Sequence, residues 1–539
     1  MAERHDAAAR PRPHYAGGVS RRRPGAPPSN RRAAGDLTLG RWIRDRALVT
    51  PGRTAIEFGD DATTYAELDA RSDRLADALV RLGLRRGDRV ASLTGNRPEH
   101  VELFFACAKA ALVLAPMSWR LAPAELAYQL RHAAPAALFA EPQMAALAGA
   151  ALELTGAKPR RLALARSELD ALAGSGGRTP WHPPPDDDDD LLLLYTSGTT
   201  GRPKGARVTH RNCFWTNISL NGIAELTEAD VVLQVLPQFH VAGWNVQPLL
   251  ALWKGATVVL EPRFDAARAL ELIERRGVTS MMGVPANYLA MAAAPRFGDT
   301  ELGSLRVAIV GGAPTPEPLF RTWWDRDVAL LQGYGLTEAS PNVLGMPRED
   351  AAQRLGWAGK PYPHIDVALA EPVSGAVVEG PGSGELLVRG PGVFAGYWRD
   401  PEATRACVRD GWLHTGDVAE RDADGFYRIR DRLKDMYISG GENVYPAEIE
   451  AVLHEHPAVA DAAVIGVPDD RWGEVGVAVV VRRSGATAAE RELIAYARTR
   501  LAGFKVPRTV HFAEELPRSL SGKLLKQELR ERFSVGRTQ

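Results

Sequence analysis

Cysteine is scarce in this chain, and the spacing of its cysteines argues against two kinds of cross-linked protein. The three cysteines, Cys107, Cys213 and Cys407, lie far apart, and no pair has a Cys-x-x-Cys spacing. Neither a disulfide framework nor a zinc site is therefore indicated. A reducing compartment suits such a chain best, and we expect the protein to be cytoplasmic.

Net charge and long apolar segments are lacking as well. Lysine and arginine number 66, as do aspartate and glutamate, so the composition gives no indication of a nucleic-acid or membrane partner. The longest apolar run, residues 103–117, contains Lys109 and is shorter than the roughly 18 to 20 residues that cross a bilayer, so it predicts a buried helix. Residues 1–36 are rich in Arg and Pro without an apolar stretch after the arginines, which argues against a cleavable secretory signal and predicts a disordered tail.

The chain does contain a regular alternation of helical and strand-like segments. Apolar residues recur at helical spacing, or form short runs, at 99–112, 124–131, 191–194, 231–236, 257–260, 266–275, 280–283 and 307–310. This alternation is typical of parallel sheets covered by helices. Because 539 residues exceed what one compact core holds, we expect an α/β fold with a large N-terminal domain of two helix-covered β-sheets.

The pattern changes twice in the last third of the chain. Strand-like pieces between Gly and Pro, at 384–389 and 425–429, predict a β-rich subdomain that closes the large domain. Beyond residue 435 the pattern predicts a small, mobile α/β domain, with segments at 446–454, 462–467, 475–481, 488–501, near Val510 and at 523–532. The expected division is a tail 1–36, an N-terminal domain 37–433 and a C-terminal domain 434–539. The acidic run 186–190 is expected to be a solvated linker without a catalytic role.

A segment rich in Gly and Thr follows the apolar run 191–194. Residues 195–205 read Tyr-Thr-Ser-Gly-Thr-Thr-Gly-Arg-Pro-Lys-Gly. In such a loop the glycines let backbone N–H groups approach an anion, the hydroxyls donate to its oxygens, and Lys204 adds positive charge. The Walker frame Gly-x-x-x-x-Gly-Lys-Ser/Thr is absent. The segment therefore predicts a phosphate cradle of another type, with a flexible surface loop as the plainer alternative.

Further motifs follow this loop in a fixed order. They are Pro-Gln-Phe-His-Val at 237–241, Gly-Gly-Ala-Pro at 311–314, Gln-Gly-Tyr-Gly-Leu-Thr-Glu at 332–338, Gly-Trp-Leu-His-Thr-Gly-Asp at 411–417, Asp-Arg-Leu-Lys-Asp at 431–435, Ser-Gly-Gly-Glu-Asn-Val-Tyr-Pro at 439–446 and Pro-Arg-Ser-Leu-Ser-Gly-Lys at 517–523. Over about residues 37–533 the chain resembles the superfamily of acyl-CoA synthetases, adenylation domains and beetle luciferases. Residues 433–446 and 472–474 are most similar to bacterial fatty-acyl-CoA ligases.

The resemblance implies a site for ATP and Mg²⁺. Glu338 would hold the metal that bridges the phosphates, since Mg²⁺ prefers hard oxygen ligands. Thr337 would bond the α-phosphate, Tyr334 would lie against the adenine, and Asp417 with Arg432 would bind the ribose. The remaining contacts to the nucleotide, metal or acceptor would come from Thr196 (also a metal contact), Ser197, Gly198, Thr199, Thr200, Gly201, Lys204, Gly312, Ala313, Gly333, Gly335, Gly440 and Gly441.

Three more residues receive roles from the resemblance. Lys523 would contact the substrate carboxylate and the α-phosphate and neutralise the charge that builds up there. It also lies in the first turn of a predicted helix, where a cation opposes the helix dipole at a cost of a few tenths of a kcal/mol, and function would justify that placement. His240 would stand at the mouth of the acyl pocket. Lys434 would be the hinge about which the small domain rotates.

Each assignment has a plainer alternative. Thr337 could cap a helix, Asp417 could occupy a turn, and Arg432 could form a surface ion pair. Lys523 could be an exposed lysine in a Ser-Gly loop, and His240, taken alone, is better explained as a buried or turn histidine.

The implied reaction has two halves. The carboxylate of a substrate attacks the α-phosphorus of ATP and releases pyrophosphate, which leaves an acyl-AMP. The small domain then rotates and brings the loop at 439–441 to the site, where the thiol of coenzyme A attacks the acyl carbon. The expected cofactors are ATP, Mg²⁺ and coenzyme A as co-substrate, and a homodimer is compatible with the sequence.

The identity of the acid and of the acceptor stays open in the sequence. Trp244, Asn245 and Trp215 are bulkier or more polar than is common in the family; if the indoles line the acyl tunnel, they favour a medium-chain or aromatic acid over a long one. An amino-acid-activating enzyme is disfavoured because no aspartate lies within 237–241. Transfer of the acyl group to a carrier protein, an amine or another acceptor is an alternative, as is a catalytically inactive binding protein.

Overall fold

The computed structural model describes residues 35–174, 185–196, 203–372, 374–439, 442–469, 471–518 and 524–534. In the large domain the strands are β1 Thr54–Phe58, β2 Asp61–Thr64, β3 Arg89–Leu93, β4 Val113–Met117, β5 Ala137–Ala140, β6 Arg160–Ala163, β7 Asp190–Thr196, β8 Lys204–Thr209, β9 Val231–Gln234, β10 Thr257–Leu260, β11 Ser280–Gly283, β12 Val307–Val310, β13 Leu330–Gly335, β14 Asn342–Gly345 and β15 Lys360–Pro361. The helices are α1 Leu39–Val49, α2 Tyr65–Arg81, α3 Pro98–Lys109, α4 Pro123–Ala133, α5 Ala145–Glu153, α6 Arg166–Ala173, α7 His210–Ala224, α8 Ala242–Asn245, α9 Pro248–Lys254, α10 Ala266–Arg276, α11 Pro285–Ala292 and α12 Glu317–Trp324.

These strands form two sheets, as predicted. One has the order β15-β14-β13-β12-β11-β9-β10-β1-β2 and the other β6-β5-β3-β4-β7-β8. Neighbours are parallel through the middle of each sheet, the pairs at both edges of the first sheet and the β7–β8 edge of the second are antiparallel, and the β5–β6 edge is parallel. Every residue of β11 and β12 is buried, as expected of central strands covered by helices on both faces. The α/β class predicted from the alternation of apolar runs is therefore confirmed.

The β-rich subdomain and the small domain follow. Their elements are β16 Asp366–Ala370, β17 Gly382–Arg389, α13 Pro401–Cys407, β18 Val408–Arg409, β19 Trp412–Arg421 and β20 Tyr427–Arg432, then β21 Tyr437–Ser439, β22 Glu442–Val444, α14 Pro446–His454, β23 Val459–Asp469, β24 Gly473–Arg482, α15 Glu490–Arg498, β25 Thr509–Ala513 and α16 Lys526–Ser534. Each group builds its own five-stranded sheet. The small sheet has its own apolar core on both faces, which is what a separate folding unit requires.

The apolar run 103–117 is not one buried helix, as we predicted, but a helix followed by a strand. α3 ends at Lys109 and β4 begins at Val113, with the left-handed residue Ala111 between them. Lys109 is fully buried, and its ammonium lies 2.5 Å from Asp69 and 2.8 Å from Asp73 of α2. This pairing explains how a lysine is accommodated in an apolar segment. Across the described residues, no helix has the length and apolar character needed to span a bilayer.

The acidic run 186–190 is not a solvated linker. Asp187 is only 5% exposed and accepts a hydrogen bond from the backbone N–H of Leu37. The next three carboxylates pair with arginines from other elements, as Asp188–Arg211, Asp189–Arg86 and Asp190–Arg207. The run therefore fixes the start of β7, the strand that leads into the predicted phosphate loop.

The final helix begins later than predicted. α16 starts at Lys526, so Lys523 precedes it rather than occupying its first turn. The argument that a cation at residue 523 opposes the helix dipole is therefore wrong, and the role of Lys523 depends on the resemblance alone. The predicted tail 1–36 lies outside the described residues except for Gly35 and Asp36.

Candidate active site

A single large cavity of 1010 Å³ brings the predicted residues together. It lies where the carboxyl ends of strands from the large sheets meet the β-rich subdomain, the position at which open α/β sheets bind ligands. The predicted residues that line it are Thr196, Lys204, His240, Gly312, Gly333, Tyr334, Gly335, Thr337, Glu338, Asp417, Arg432 and Lys434. Ala313 is exposed next to Gly312 and is not part of the lining. Ser197, Gly198, Thr199, Thr200, Gly201, Gly440, Gly441 and Lys523 lie outside the described residues.

The two ends of the predicted phosphate loop are held side by side. β7 and β8 form an antiparallel pair in which Thr196 faces Lys204 in register. The Lys204 ammonium lies 5.1 Å from the centre of the Tyr397 ring, which places it over an aromatic face. A hydroxyl and an ammonium therefore flank the point from which the loop leaves the sheet, as a cradle for phosphate requires.

Glu338 is held next to this cradle by a residue that the sequence analysis missed. The Tyr397 hydroxyl donates to Oε1 of Glu338 at 2.6 Å. Burial, and then the neighbouring carboxylate, raise the pKa of Tyr397, so the phenol remains a donor. Tyr397 carried no sequence signal because it follows a Pro-Gly-rich stretch without a motif of its own.

The residues around Glu338 fit a magnesium ion bound mainly by phosphate oxygens and water. Within the described chain, Oε2 of Glu338 makes no hydrogen bond or ion pair. No group of three or more His, Cys, Asp or Glu in the described ranges is arranged to hold a metal ion. Mg²⁺ usually takes one or two carboxylates and completes its octahedron with substrate phosphate and water, so one available carboxylate oxygen is a suitable donor set.

Close backbone contacts shape the slot beside Tyr334. A Cβ atom on Gly335 would lie 1.5 Å from the carbonyl oxygen of Pro341, and one on Gly311 would lie 2.7 Å from that of Gly333. No side chain fits at either position. The cavity wall beside Tyr334 is therefore closely packed backbone, which only glycine permits at these two positions.

Asp417 is presented to the cavity by a hydrogen-bond network in the middle of β19. Its backbone N–H donates to Oγ1 of Thr415, whose hydroxyl in turn donates to the carbonyl of Leu386. Glu385 accepts from the N–H of Gly416 at 3.1 Å, and Gly416 has a φ of +70° that favours glycine. The position of the Asp417 carboxylate is therefore fixed by backbone geometry.

Two partners hold the Asp417 carboxylate in the cavity wall. The Tyr334 hydroxyl donates to Oδ2 at 2.6 Å, and Nε of Arg432 lies 3.4 Å from Oδ1. Burial, and then the Asp417 charge, raise the pKa of Tyr334 well above that of an exposed tyrosine, so the phenol stays protonated. Arg432 is thus not confined to a surface pair with Asp431 or Asp435, because it reaches the cavity.

The other end of the cavity is mainly apolar. Its walls are formed by residues of α8, β11, β12 and β14, namely Val241, Ala242, Val246, Met282, Ile309 and Leu344. His240 stands beside them, its ring 4.6 Å from that of Phe239.

The expectation that Trp244 and Trp215 shorten the acyl tunnel is not supported. Trp244 is 1% exposed, stacks on Phe104 at 4.6 Å and donates its indole N–H to the carbonyl of Gln238. Trp215 packs edge-on against His364. Neither indole lines the cavity. Both tryptophans are near site motifs in the sequence, but in the fold their indole rings point away from the cavity.

The mouth of the cavity carries aromatic and basic residues that the sequence analysis missed. The guanidinium groups of Arg120 and Arg263 lie 5.1 and 5.3 Å from the centre of the Trp119 ring. All three line the cavity. These residues could not be predicted as part of the site, because residues 119–120 and 263 come from two loops that meet only in the folded chain.

Two contacts border the predicted hinge, the first within the small domain and the second between it and the large domain. Arg530 of α16 pairs with Asp435 at 2.8 Å. Asp431, on β20, accepts a hydrogen bond at 2.8 Å from the N–H of Ala447 in the first turn of α14. A carboxylate at a helix N-terminus is favourable, so this contact ties the small domain to the large one. Lys434 lies between the two contacts and borders the cavity.

Comparison with known proteins agrees with this geometry. The model of the AMP-binding enzyme family matches residues 43–398, and that of the AMP-binding enzyme C-terminal domain matches residues 448–523. The chain is 46% identical over 495 residues to a feruloyl-CoA synthase from Amycolatopsis sp, covering 92% of this chain and 99% of the relative. It is 38% identical over 511 residues to a long-chain-fatty-acid–CoA ligase from Mycobacterium tuberculosis, with coverage of 92% and 99%. The solved structure of ATP-bound MatB from Rhodopseudomonas palustris matches with a TM-score of 0.86 at 35% identity, covering 93% of this chain and 99% of that one.

The fold and the site define an enzyme that binds AMP, and the chain belongs to the adenylate-forming superfamily of AMP-binding enzymes. Within that superfamily it is an AMP-forming acyl-CoA synthetase, an ATP-dependent acid–thiol ligase. The resemblance stated from the sequence motifs is thereby confirmed.

Proposed function

We propose that this synthetase activates an aromatic carboxylic acid and transfers it to coenzyme A. The observation that carries the proposal is the apolar end of the cavity, which terminates on residues buried in the core. Tyr362 and Asn342 line this end and are 3% and 5% exposed. A pocket that ends inside the core suits a compact ring better than a long flexible chain. The feruloyl-CoA synthase relative, at 46% identity, supports the same acid class.

In the first half-reaction the chain positions the two reacting groups. Lys204 binds the phosphates, Thr337 donates to the α-phosphate, and Tyr334 and Asp417 hold the nucleoside. A carboxylate oxygen of the acid attacks the α-phosphorus, and the bond to pyrophosphate breaks with its electron pair on pyrophosphate. Lys523, in the role that the resemblance gives it, neutralises charge at the attacked phosphate. Mg²⁺, when bound at Glu338, would offset the negative charge of the phosphates.

In the second half-reaction the small domain turns about Lys434. Lys523 leaves the site, and the loop at 439–441 replaces it. The sulfur of coenzyme A attacks the acyl carbon, loses its proton, and AMP departs with the electrons of the broken C–O bond. The exposed guanidinium groups of Arg120 and Arg263 at the cavity mouth would attract the phosphates of coenzyme A. A cytoplasmic location remains a prediction from composition.

The test is a panel of acids with the purified enzyme. Pyrophosphate release and thioester formation are measured with cinnamic, benzoic, octanoic and palmitic acids and with phenylalanine, each with and without coenzyme A. We expect the highest kcat/KM for an aromatic acid and thioester only with coenzyme A. A higher kcat/KM for octanoic or palmitic acid would contradict the aromatic class, and pyrophosphate release without thioester would indicate another acceptor.

A variant pair tests whether the apolar end holds the acid. Val246→Trp fills the wall of the cavity and should raise KM for the acid at least tenfold while leaving KM for ATP unchanged. Leu226→Met is the matched control, since Leu226 is 1% exposed in the core but does not line the cavity. Equal effects of the two variants on KM for the acid would contradict the location of the acid.

A further inference from the structure

Two polar atoms at the buried end of the cavity have no hydrogen-bond partner among the described residues, namely the Tyr362 hydroxyl oxygen and Oδ1 of Asn342. The Tyr362 hydroxyl belongs to a side chain that is 3% exposed and lines the cavity, and within the described chain it makes no hydrogen bond. Asn342 is 5% exposed and lines the cavity as well. Buried polar groups are nearly always paired, so an exception in a ligand cavity points to a partner on the ligand.

The orientation of the Asn342 amide is fixed by its neighbours. Nδ2 donates to Oγ1 of Thr216 at 3.1 Å and to the carbonyl oxygens of Thr216 and Asn245 at 3.4 and 3.2 Å. Backbone carbonyls only accept hydrogen bonds, so the amide nitrogen must point toward them. Oδ1 is therefore turned away from these partners and, among the described residues, accepts no hydrogen bond.

Strand pairing places the two residues on adjacent chain segments, and both line the cavity. β14 pairs with β15 so that Leu344 faces Pro361, and the N–H of Tyr362 donates to the carbonyl of Val343 at 3.1 Å. Asn342 and Tyr362 are therefore on neighbouring chain segments, whose spacing in a sheet is about 4.8 Å.

Two glycines leave room for the phenol. A Cβ atom on Gly345 would lie 2.7 Å from the Tyr362 hydroxyl oxygen, and one on Gly333 would lie 3.9 Å from it. Gly333 lines the cavity, so the hydroxyl lies against its wall. Burial raises the pKa of Tyr362, which keeps the phenol protonated and able to donate.

The pair offers one donor and one acceptor in an otherwise apolar pocket. An alcohol or phenol on the ligand has a partner for either group, since its O–H can donate to Oδ1 of Asn342 and its oxygen can accept from Tyr362. A hydrocarbon end satisfies neither and leaves two buried polar groups unpaired, which is costly.

We propose that Tyr362 and Asn342 form a polar floor that selects aromatic acids bearing a ring hydroxyl over the same acids without one. This specificity rests on the proposed aromatic function. A site built to pair with a hydroxyl discriminates strongly against an analogue that lacks it, whereas an apolar pocket distinguishes the two only weakly.

The test compares cinnamic acid with its 2-, 3- and 4-hydroxy derivatives, which differ by one oxygen atom. The readout is kcat/KM for thioester formation. We expect the wild-type enzyme to prefer at least one ring isomer over cinnamic acid about tenfold or more. Tyr362→Phe removes only the oxygen and should reduce that preference about tenfold.

The matched control is Tyr65→Phe. Tyr65 is a fully buried phenol that donates to the carbonyl of Ala256 and does not line the cavity. This variant should lose stability and keep the preference between the acids. A uniform fall in kcat/KM for all four acids in Tyr362→Phe would overturn the specificity role.

The wild-type comparison does not depend on any variant. Equal kcat/KM for cinnamic acid and all three hydroxy acids would overturn the polar floor while leaving the aromatic function in place. Absence of turnover with all four, together with turnover of octanoic acid, would overturn the proposed function and the floor with it. The two failures are therefore distinguishable.

Discussion

At the scale of single residues, the site depends on side chains whose positions are set by one or two hydrogen bonds. Glu338 and Asp417 each accept a hydrogen bond of 2.6 Å from a tyrosine, Tyr397 and Tyr334 respectively. Both phenols have raised pKa values and act as fixed donors. The carboxylates were predicted from the motifs, and so was Tyr334, but Tyr397 was not, because its contact with Glu338 spans 59 residues of sequence.

Removing the Tyr397 hydroxyl should weaken metal binding without abolishing it. In Tyr397→Phe the Glu338 carboxylate loses the donor that orients it, so we expect a several-fold increase in the Mg²⁺ concentration needed for half-maximal exchange of pyrophosphate into ATP. At saturating Mg²⁺ the exchange rate should recover. A rate that stays low at all Mg²⁺ concentrations would mean that Tyr397 acts on another step.

Lys523 should matter for one half-reaction only. Lys523→Ala should abolish acyl-AMP formation from acid and ATP, because the charge at the α-phosphate is no longer neutralised. Thioester formation from pre-made acyl-AMP and coenzyme A should continue at close to the wild-type rate. The two rates are measured separately by single turnover, and equal losses in both would contradict the assigned role.

At the scale of elements, continuous apolar runs predicted strands well. β10, β11 and β12 begin and end where the runs do, because central parallel strands are buried on both faces. Segments whose structure depends on partners distant in the sequence were predicted poorly. The acidic run before β7 looked like a linker because its arginine partners, on α7, β8 and the 82–88 connection, are distant in sequence.

Restricting backbone rotation at residue 434, between the two domains, should slow thioester formation. In the described chain the backbone N–H of Lys434 donates no hydrogen bond, so Lys434→Pro removes none and acts by restricting rotation. We expect thioester formation to slow at least tenfold and acyl-AMP formation to change little. Lys434→Ala, which keeps the backbone free, is the control, and an unchanged thioester rate in the proline variant would remove the hinge assignment.

At the scale of the whole molecule, two buried histidines tie stability to pH. His100 contacts Ser92 and Gln238, and His210 accepts at Nδ1 from the N–H of Leu39. Burial lowers the pKa of each to about 3, so both stay neutral in the folded protein. Below the unfolded pKa of about 6.5 the unfolded chain takes up protons that the native state excludes, and stability falls with pH.

The expected loss is measurable by denaturant unfolding. Each histidine contributes up to about 1.4 kcal/mol per pH unit, so the pair should cost about 2 kcal/mol between pH 6 and pH 5. His454 acts in the opposite sense: its hydrogen bond to Asp461 raises its pKa, and its contribution, complete below about pH 6.5, is lost as pH rises. His100→Asn should reduce the pH slope by about half, whereas an unchanged slope would exclude His100 as a source.

The family, and the motif residues that the fold brings to one cavity, could be predicted from the sequence because motifs mark them locally. The proposed acid end could not, since Tyr362 lies in a Pro-Tyr-Pro stretch and Asn342 follows a proline, with nothing in either segment to indicate a pocket. Tyr362 and Asn342 come to the same cavity because β14 pairs with β15, and no local sequence pattern indicates that pairing.

The missing side chain at Gly345 has a consequence for how such pockets diverge. A Cβ atom on Gly345 would lie 2.6 Å from Cζ of Tyr362. The tyrosine ring at 362 therefore leaves no room for a side chain at 345. A descendant of this enzyme can therefore carry alanine at 345 only if residue 362 became smaller earlier or at the same time. Drift toward longer or unsubstituted acids should therefore leave a correlated pair of exchanges at these two positions, with the change at 362 preceding the one at 345.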